Sequence, residues 1–183
     1  IIMAGSLDRT AVRAEKLSYE GPFGVGYGIC AYEVTGCDET RNFLERYEAE
    51  ERRSLDARKK NEDEYVRLAR LVVENYVRTK GRLRIEGGAA LCSSGSECME
   101  LSDDLLKNRA GVFVSLKKDG MLRGCIGTIV PVRESIAQEI AHNAVSAASS
   151  DPRFSEVAED ELSSLVYSVD VLSPPEKISS KDE

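Results

Sequence analysis

Apolar residues recur at helical spacing from Tyr65 onward, where Tyr65, Leu68, Ala69, Val72, Val73, Tyr76 and Val77 form an unbroken stripe at i, i+3, i+4 and i+7. Asn61 and Glu64 stand at capping-box spacing ahead of it and Gly81 follows it, so a helix is expected between them. A short helix is expected around Ser102 to Lys107. The period then changes to two: Val112, Val114 and Leu116 alternate with Phe113 and Ser115, Asp119-Gly120 supplies a tight turn, and Met121 to Val130 returns as the second arm of a β-hairpin. After Pro131, Ile136, Ile140, Ala144 and Ala147 mark another helix, whose small-residue face suits close packing on a sheet. The turn Asp151-Pro152-Arg153-Phe154 ends it. A last strand is expected from Leu165 to Leu172, with Leu165, Tyr167, Val169 and Val171 on one side and Pro174-Pro175 as terminator.

The beginning of the chain is organised differently. An apolar opening (Ile1 to Ala4), a Gly- and aromatic-rich loop (Ser18 to Gly28) and an apolar stretch (Ile29 to Val34) read as strand, loop and strand. An isolated hairpin of that kind is marginal in water, so the pattern implies a chain that begins in mid-structure. From Asp38 to Lys60 charges of alternating sign dominate, which suits an exposed helix or a linker. The expected organisation is therefore an N-terminal piece over 1–37, a charged helical linker over 38–60 and a domain over 61–183. Between Gly87 and Gly95 the chain is rich in Gly, Ser and Ala without periodicity and reads as a flexible loop near Cys92 and Cys98.

Composition narrows the function classes. With 183 residues, 42% hydrophobic side chains and no apolar run near the roughly eighteen residues of a membrane span, the chain reads as soluble, with no membrane partner. No signal-like opening is present, which makes the cytoplasm the expected location. Five cysteines at irregular gaps are expected to be free thiols in such a compartment, and without a second Cys or His pair at zinc-like spacing no metal site is assigned. A net charge of -7, a pI near 5.0 and the lack of tryptophan argue against nucleic acid as a partner. Arg78, Lys80, Arg82 and Arg84 gather where the first long helix should end, and they read as cations complementing its C-terminus. Gly24-Val25-Gly26-Tyr27-Gly28 lacks the strand-to-helix context of a nucleotide loop, so no cofactor is assigned within the chain.

Candidate chemistry centres on the returning arm of the hairpin. Period-2 geometry puts Arg123, Cys125 and Gly127 on one face and Leu122, Gly124 and Ile126 on the other. Gly124 and Gly127 beside a cysteine mark a place where a ligand or another backbone comes close, and a neighbouring Arg123 would favour the thiolate of Cys125. A catalytic thiol also wants a base, and the only histidine is His142. Asn143, Asp151 and Arg153 form a second polar group suited to orienting a ligand. The structural alternative is that Cys125 is a small buried hydrophobe, that the glycines let a helix pack on the sheet, and that Asp151 and Arg153 are ordinary turn chemistry.

Gly111 to Leu116, Asp119-Gly120-Met121-Leu122-Arg123-Gly124-Cys125-Ile126-Gly127, Asp151-Pro152-Arg153-Phe154 and Leu172-Ser173-Pro174-Pro175 resemble, in order, the successive blocks of AMMECR1 domains. The resemblance covers roughly residues 61 to 178. It implies an α+β fold with a mainly antiparallel β-sheet covered by helices. AMMECR1 domains usually continue past the Pro-Pro block with a further strand and a G-L-L-L-P-like block, so the domain is expected to be C-terminally incomplete here. Met3 to Asp8 and Tyr19-Glu20-Gly21-Pro22-Phe23-Gly24-Val25-Gly26-Tyr27 resemble the end of class III extradiol dioxygenase, or Memo-like, proteins. These are found with AMMECR1 domains and a radical SAM protein, the AmmeMemoRadiSam association. The resemblance implies those two partners, and it implies ferrous iron held by two histidines and a carboxylate in an upstream domain, because one histidine cannot supply that triad.

Two functions from different classes follow. A binding module would use the conspicuous face for a partner or a small anionic ligand. A cysteine-dependent enzyme would use Cys125 activated by Arg123, with His142 as base and Asn143, Asp151 or Arg153 positioning the substrate. The family brings no established reaction, which favours the module.

Overall fold

The computed structural model describes residues 5–92 and 97–176, and it divides the chain into two compact units, Ile1–Ala57 and Arg58–Glu183. The apolar opening Ile1 to Ala4, the centre of the Ser-rich segment and the tail after Glu176 lie outside the described residues. The first unit is a long antiparallel hairpin of β1 (Thr10–Glu20) and β2 (Tyr27–Cys37), joined through a turn at Pro22–Gly24 in which Phe23 and Gly24 both have positive φ. β2 contains the apolar stretch read from the sequence. β1 occupies residues assigned no strand, because its charged side chains (Arg13, Glu15, Lys16) leave no apolar alternation to detect. The charged segment forms a helix, α1 (Phe43–Lys60), none of whose side chains is buried.

The second unit builds its core on one three-stranded antiparallel sheet with two helices against it. α2 (Glu64–Thr79) buries Leu68, Ala69, Val72, Val73 and Val77, the inner part of the stripe. Its N-cap is Asp63, whose carboxylate accepts the Val66 N–H at 2.8 Å, not Asn61, since α1 runs on to Lys60. The left-handed residue ending it is Lys80, one position before Gly81, and its N–H donates to the Tyr76 carbonyl. The predicted flexible loop holds one short strand, β4 (Ala89–Leu91), which pairs with β3 (Arg84–Glu86) before it and β5 (Glu97–Glu100) after it in a small antiparallel sheet. Cys92, directly after β4, and Cys98, within β5, are joined as a disulfide with Cα atoms 5.9 Å apart. The expectation of free thiols therefore holds for Cys30, Cys37 and Cys125 only. Strands of three or four residues are too short to show a period of two, which is why this sheet escaped the sequence pattern.

After α3 (Asp103–Lys107), capped by Ser102, come β6 (Val112–Lys118) and β7 (Met121–Gly127), turning through Asp119 and Gly120 at φ 52° and 76°. α4 (Ile136–Ser149) and β8 (Leu165–Val171) complete the unit, with strand order β7-β6-β8, all antiparallel. Val112, Val114 and Leu116 are fully buried beneath the helices. Packing runs from α4 onto β6 and β7, and from α2 onto α4 and β8. The molecule is α+β with antiparallel sheets, as expected.

Candidate functional site

Strand β7 is one residue longer than the stretch of β6 it faces: Leu116 pairs with Gly124 and Lys117 with Leu122, so Arg123 is left over as a bulge. A bulge re-aims side chains, and the period-2 argument that put Arg123 beside Cys125 fails at this point. The Arg123 guanidinium instead grips Glu161 in a two-pronged pair, Nε to Oε1 at 3.0 Å and Nη2 to Oε2 at 2.8 Å. It also donates to the Ser155 and Glu156 carbonyls at 2.9 and 3.3 Å. Both partners are nearly buried, at 14% and 13% side-chain exposure, and with Lys118 joining at 3.2 Å Glu161 is held down to about 2 by its bond to Arg123 above all. Arg123 thus anchors the segment before β8 to the sheet.

Gly124 and Gly127 answer to packing. A Cβ on Gly124 would collide with the carbonyl oxygen of Ala147 in α4, and one on Gly127 would collide with the Phe113 ring across the strand pair. The close approach that these glycines announce is that of a helix backbone and an aromatic ring. Since Gly124 looks towards α4, Cys125 looks the other way, onto the sheet face shared with Ser115 and, one strand further, Ser168. Its Sγ lies 3.2 Å from the Ser115 hydroxyl, and the residue is half-buried.

The arginine beside this thiol comes from elsewhere in the chain. Asp151, buried where α4 ends, accepts the Cys125 N–H at 2.9 Å and the Arg153 N–H at 3.1 Å. It also takes both prongs of the Arg153 guanidinium, at 2.9 and 2.7 Å. Those bonds, Arg153 first, hold its carboxyl well below the usual carboxylate range. Arg153 Nη2 donates to the Cys125 carbonyl at 3.1 Å, and its own pKa is raised by Asp151 and, to a lesser degree, by the Cys125 side chain. About half of the Arg153 side chain is exposed. The structure therefore brings together Cys125, Asp151 and Arg153, three of the expected site residues, and adds Ser115, which no spacing argument could attach to them.

His142 and Asn143 are on α4, across the sheet from the thiol. His142 Nδ1 accepts from Arg133 Nη2 at 3.1 Å in a cavity on the outer side of the helix, and is not positioned as a base for Cys125. Burial first, then Arg133 and Arg82, lowers its pKa. Asn143, fully buried, donates to the Val112 carbonyl at 2.9 Å and serves the end of β6. One turn earlier sits Glu139, which sequence reasoning passed over: fully buried, it accepts the Thr128 hydroxyl at 2.7 Å and the Val132 and Arg133 N–H groups at 3.0 and 2.8 Å. Its signal was available, since Glu139 and Asn143 lie one turn apart on the apolar face of α4. Among the described residues, no three His, Cys, Asp or Glu side chains are grouped to hold a metal, and no helix is long and apolar enough to cross a membrane.

Known proteins resemble this chain over different lengths. A Clostridium acetobutylicum protein is 43% identical over 176 residues, covering 96% of this chain and 35% of its own length. A Thermotoga maritima protein is 47% identical over 118 residues (64% of this chain, 61% of that one), and a Methanothermobacter thermautotrophicus protein 39% identical over 116 (62% and 52%). The chain thus spans about a third to three fifths of the length of these relatives. Among solved structures, an uncharacterized protein from Pyrococcus horikoshii matches 63% of this chain and 53% of its own, with 33% identity and a TM-score of 0.48. The family model described as AMMECR1 matches residues 66–183, which contain every residue of the Cys125 site, and the chain belongs to the AMMECR1 family.

Proposed function

We propose that this AMMECR1 domain is a binding module that works beside a Memo-like, extradiol dioxygenase-like partner and a radical SAM protein in the cytoplasm, and that the sheet face bearing Cys125 receives the Memo-like partner. The observation that carries the reading is what surrounds the thiol. Its neighbours are a serine hydroxyl and a guanidinium, and the nearest carboxylate, Asp151, is already shared among Arg153 and two backbone N–H groups. None of these takes a proton at neutral pH, so the group a catalytic thiol needs is replaced by groups that orient and recognise. Support for the occupant is twofold: the resemblance of residues 19 to 27 to a Memo-like terminus, and the Clostridium relative, alike across both units and nearly three times as long. Ferrous iron in such an assembly would be bound by the partner, because this chain's single histidine does not fit a site of two histidines and a carboxylate.

One observation favours the second reading, a cysteine-dependent enzyme: Arg153 lies where Arg123 was expected, next to the thiol. Two measurements separate the readings. Titration calorimetry against a purified Memo-like protein should show binding that Ser168→Arg, placing a long cation on the face beside Ser115, weakens at least about tenfold. Unchanged affinity, or no binding at all, overturns the module. Alkylation by iodoacetamide at pH 7, followed by peptide mass spectrometry, should modify half-buried Cys125 more slowly than exposed Cys30 and Cys37. Faster modification of Cys125 would establish an activated thiol and favour the enzyme.

A further inference from the structure

Four cations stand close in sequence where α2 ends, and the structure separates them. Arg78 pairs with Glu74 and Glu159, Lys80 with Glu156 at 2.6 Å, and Arg84 with Glu86. Arg82 has no carboxylate at ion-pair distance among the described residues, and neither has Arg133. Both instead line one surface cavity of about 230 Å³, together with His142 and Gln138. The other wall is apolar: Val72 from α2, Leu83 and Ile85 at β3, and Ala141 and Val145 from α4. Two guanidinium groups without an ion-pair carboxylate, both acting on His142 in a pocket otherwise lined largely by aliphatic side chains, have a definite complement.

We infer that this cavity binds a small organic carboxylate, its anionic end held by Arg82 and Arg133 and its apolar end seated on Val72, Leu83 and Val145. A guanidinium presents paired donors that match a carboxylate, and here two of them line one pocket with no carboxylate at ion-pair distance among the described residues, the nearby Glu139 being committed to the Thr128 hydroxyl and two backbone N–H groups. His142 adds a third donor. Because Arg133 can only donate, His142 Nδ1 must accept, which leaves its proton on Nε2; burial and the two arginines keep the ring neutral. At roughly 30 Å³ per water-sized group, 230 Å³ has room for about eight heavy atoms, the size of a short branched or aromatic acid. The cavity lies on the outer side of α4, away from the Cys125 face, so the inference stands apart from the partner proposed for that face.

His142 is the only histidine in the chain, which makes its imidazole an unambiguous proton-NMR reporter inside the site. Benzoate titrated into the full chain at pH 7 should move the His142 Hε1 resonance along a saturable curve, with a Kd of about a millimolar or tighter for a ligand of that size. Arg82→Gln, a change on an exposed side chain, should weaken binding about tenfold, and Arg133→Gln should do so independently. Benzyl alcohol, which keeps the ring and lacks the charge, should give no saturable shift. The inference is overturned if benzoate fails to saturate by about 50 mM, if benzyl alcohol binds equally well, if inorganic phosphate binds as tightly as benzoate, or if both arginine variants bind as the wild type does.

Discussion

Gly124→Ala decides whether the glycine beside Cys125 is there for packing or for a ligand. The new methyl would collide with the Ala147 carbonyl oxygen and lie 3.6 Å from Leu116 Cδ1. The oxygen belongs to helix backbone and cannot rotate aside, so α4 must move off β7. Overpacking of this kind costs about 1–3 kcal/mol, and the fixed position of the obstacle places it in the upper half of that range. Against it, replacing a glycine that does not need a left-handed conformation gains roughly 0.4–1 kcal/mol by restricting the unfolded chain. The net expectation is a loss of about 1–2.5 kcal/mol. For a unit the size of Arg58–Glu183 that is a fall in Tm of roughly 4–10 °C. Urea unfolding followed by far-ultraviolet circular dichroism measures it directly, and Gly124→Val should lose more. A Gly124→Ala variant as stable as wild type, or more stable, would refute the packing account and return the position to ligand access.

Two further perturbations test the polar groups that secure the site. Glu161 has its pKa lowered from 4.5 to about 2, so its contribution is complete above pH 4.5 and fades as the pH falls towards 2. The stability gap between wild type and Arg123→Ala should narrow by about 2 kcal/mol between pH 7 and pH 2.5, with Lys118 retaining part of the pair and the Ser155 and Glu156 carbonyl bonds contributing a part that does not titrate; a gap independent of pH would contradict the assignment. Glu139→Ala removes the acceptor for Thr128 and for two backbone N–H groups and empties a buried volume, so urea unfolding should show a loss of about 2–4 kcal/mol; a loss below about 1 would mean that the surrounding loop reorganises freely.

The elements were legible where sequence and fold use the same local rule. The stripe on α2, the Asp119-Gly120 turn and the alternation in β6 each follow from one period or one turn type, and each formed where expected. Elements without a local rule were missed: β1 because its residues are charged on both faces, and β3 to β5 because they are short and joined by Cys92 and Cys98. The site divides along the same line. Asp151 and Arg153 could be selected from a compact polar turn, but their connection to Cys125 depends on α4 delivering that turn to β7, which no spacing encodes.

The bulge at Arg123 shows why motif arithmetic chose the wrong arginine. Counting by twos along a strand assumes one residue per pleat, and a single extra residue reverses the face of everything before it. Leu122 and Gly124 then differ in what they face although they are two apart: Leu122 pairs with exposed Lys117, Gly124 with buried Leu116. Freed from the ladder, Arg123 reaches Glu161 and closes the sheet edge against the chain entering β8, while a turn 28 residues after Cys125 supplies the guanidinium that donates to the Cys125 carbonyl. The six-residue block Leu122 to Gly127 is therefore a structural junction at Arg123 and Gly124 and a recognition surface at Cys125. If that division is right, Arg123→Ala should lower stability without changing the alkylation rate of Cys125 in the folded protein, whereas Arg153→Ala should alter that rate. The opposite pattern would put Arg123 back beside the thiol.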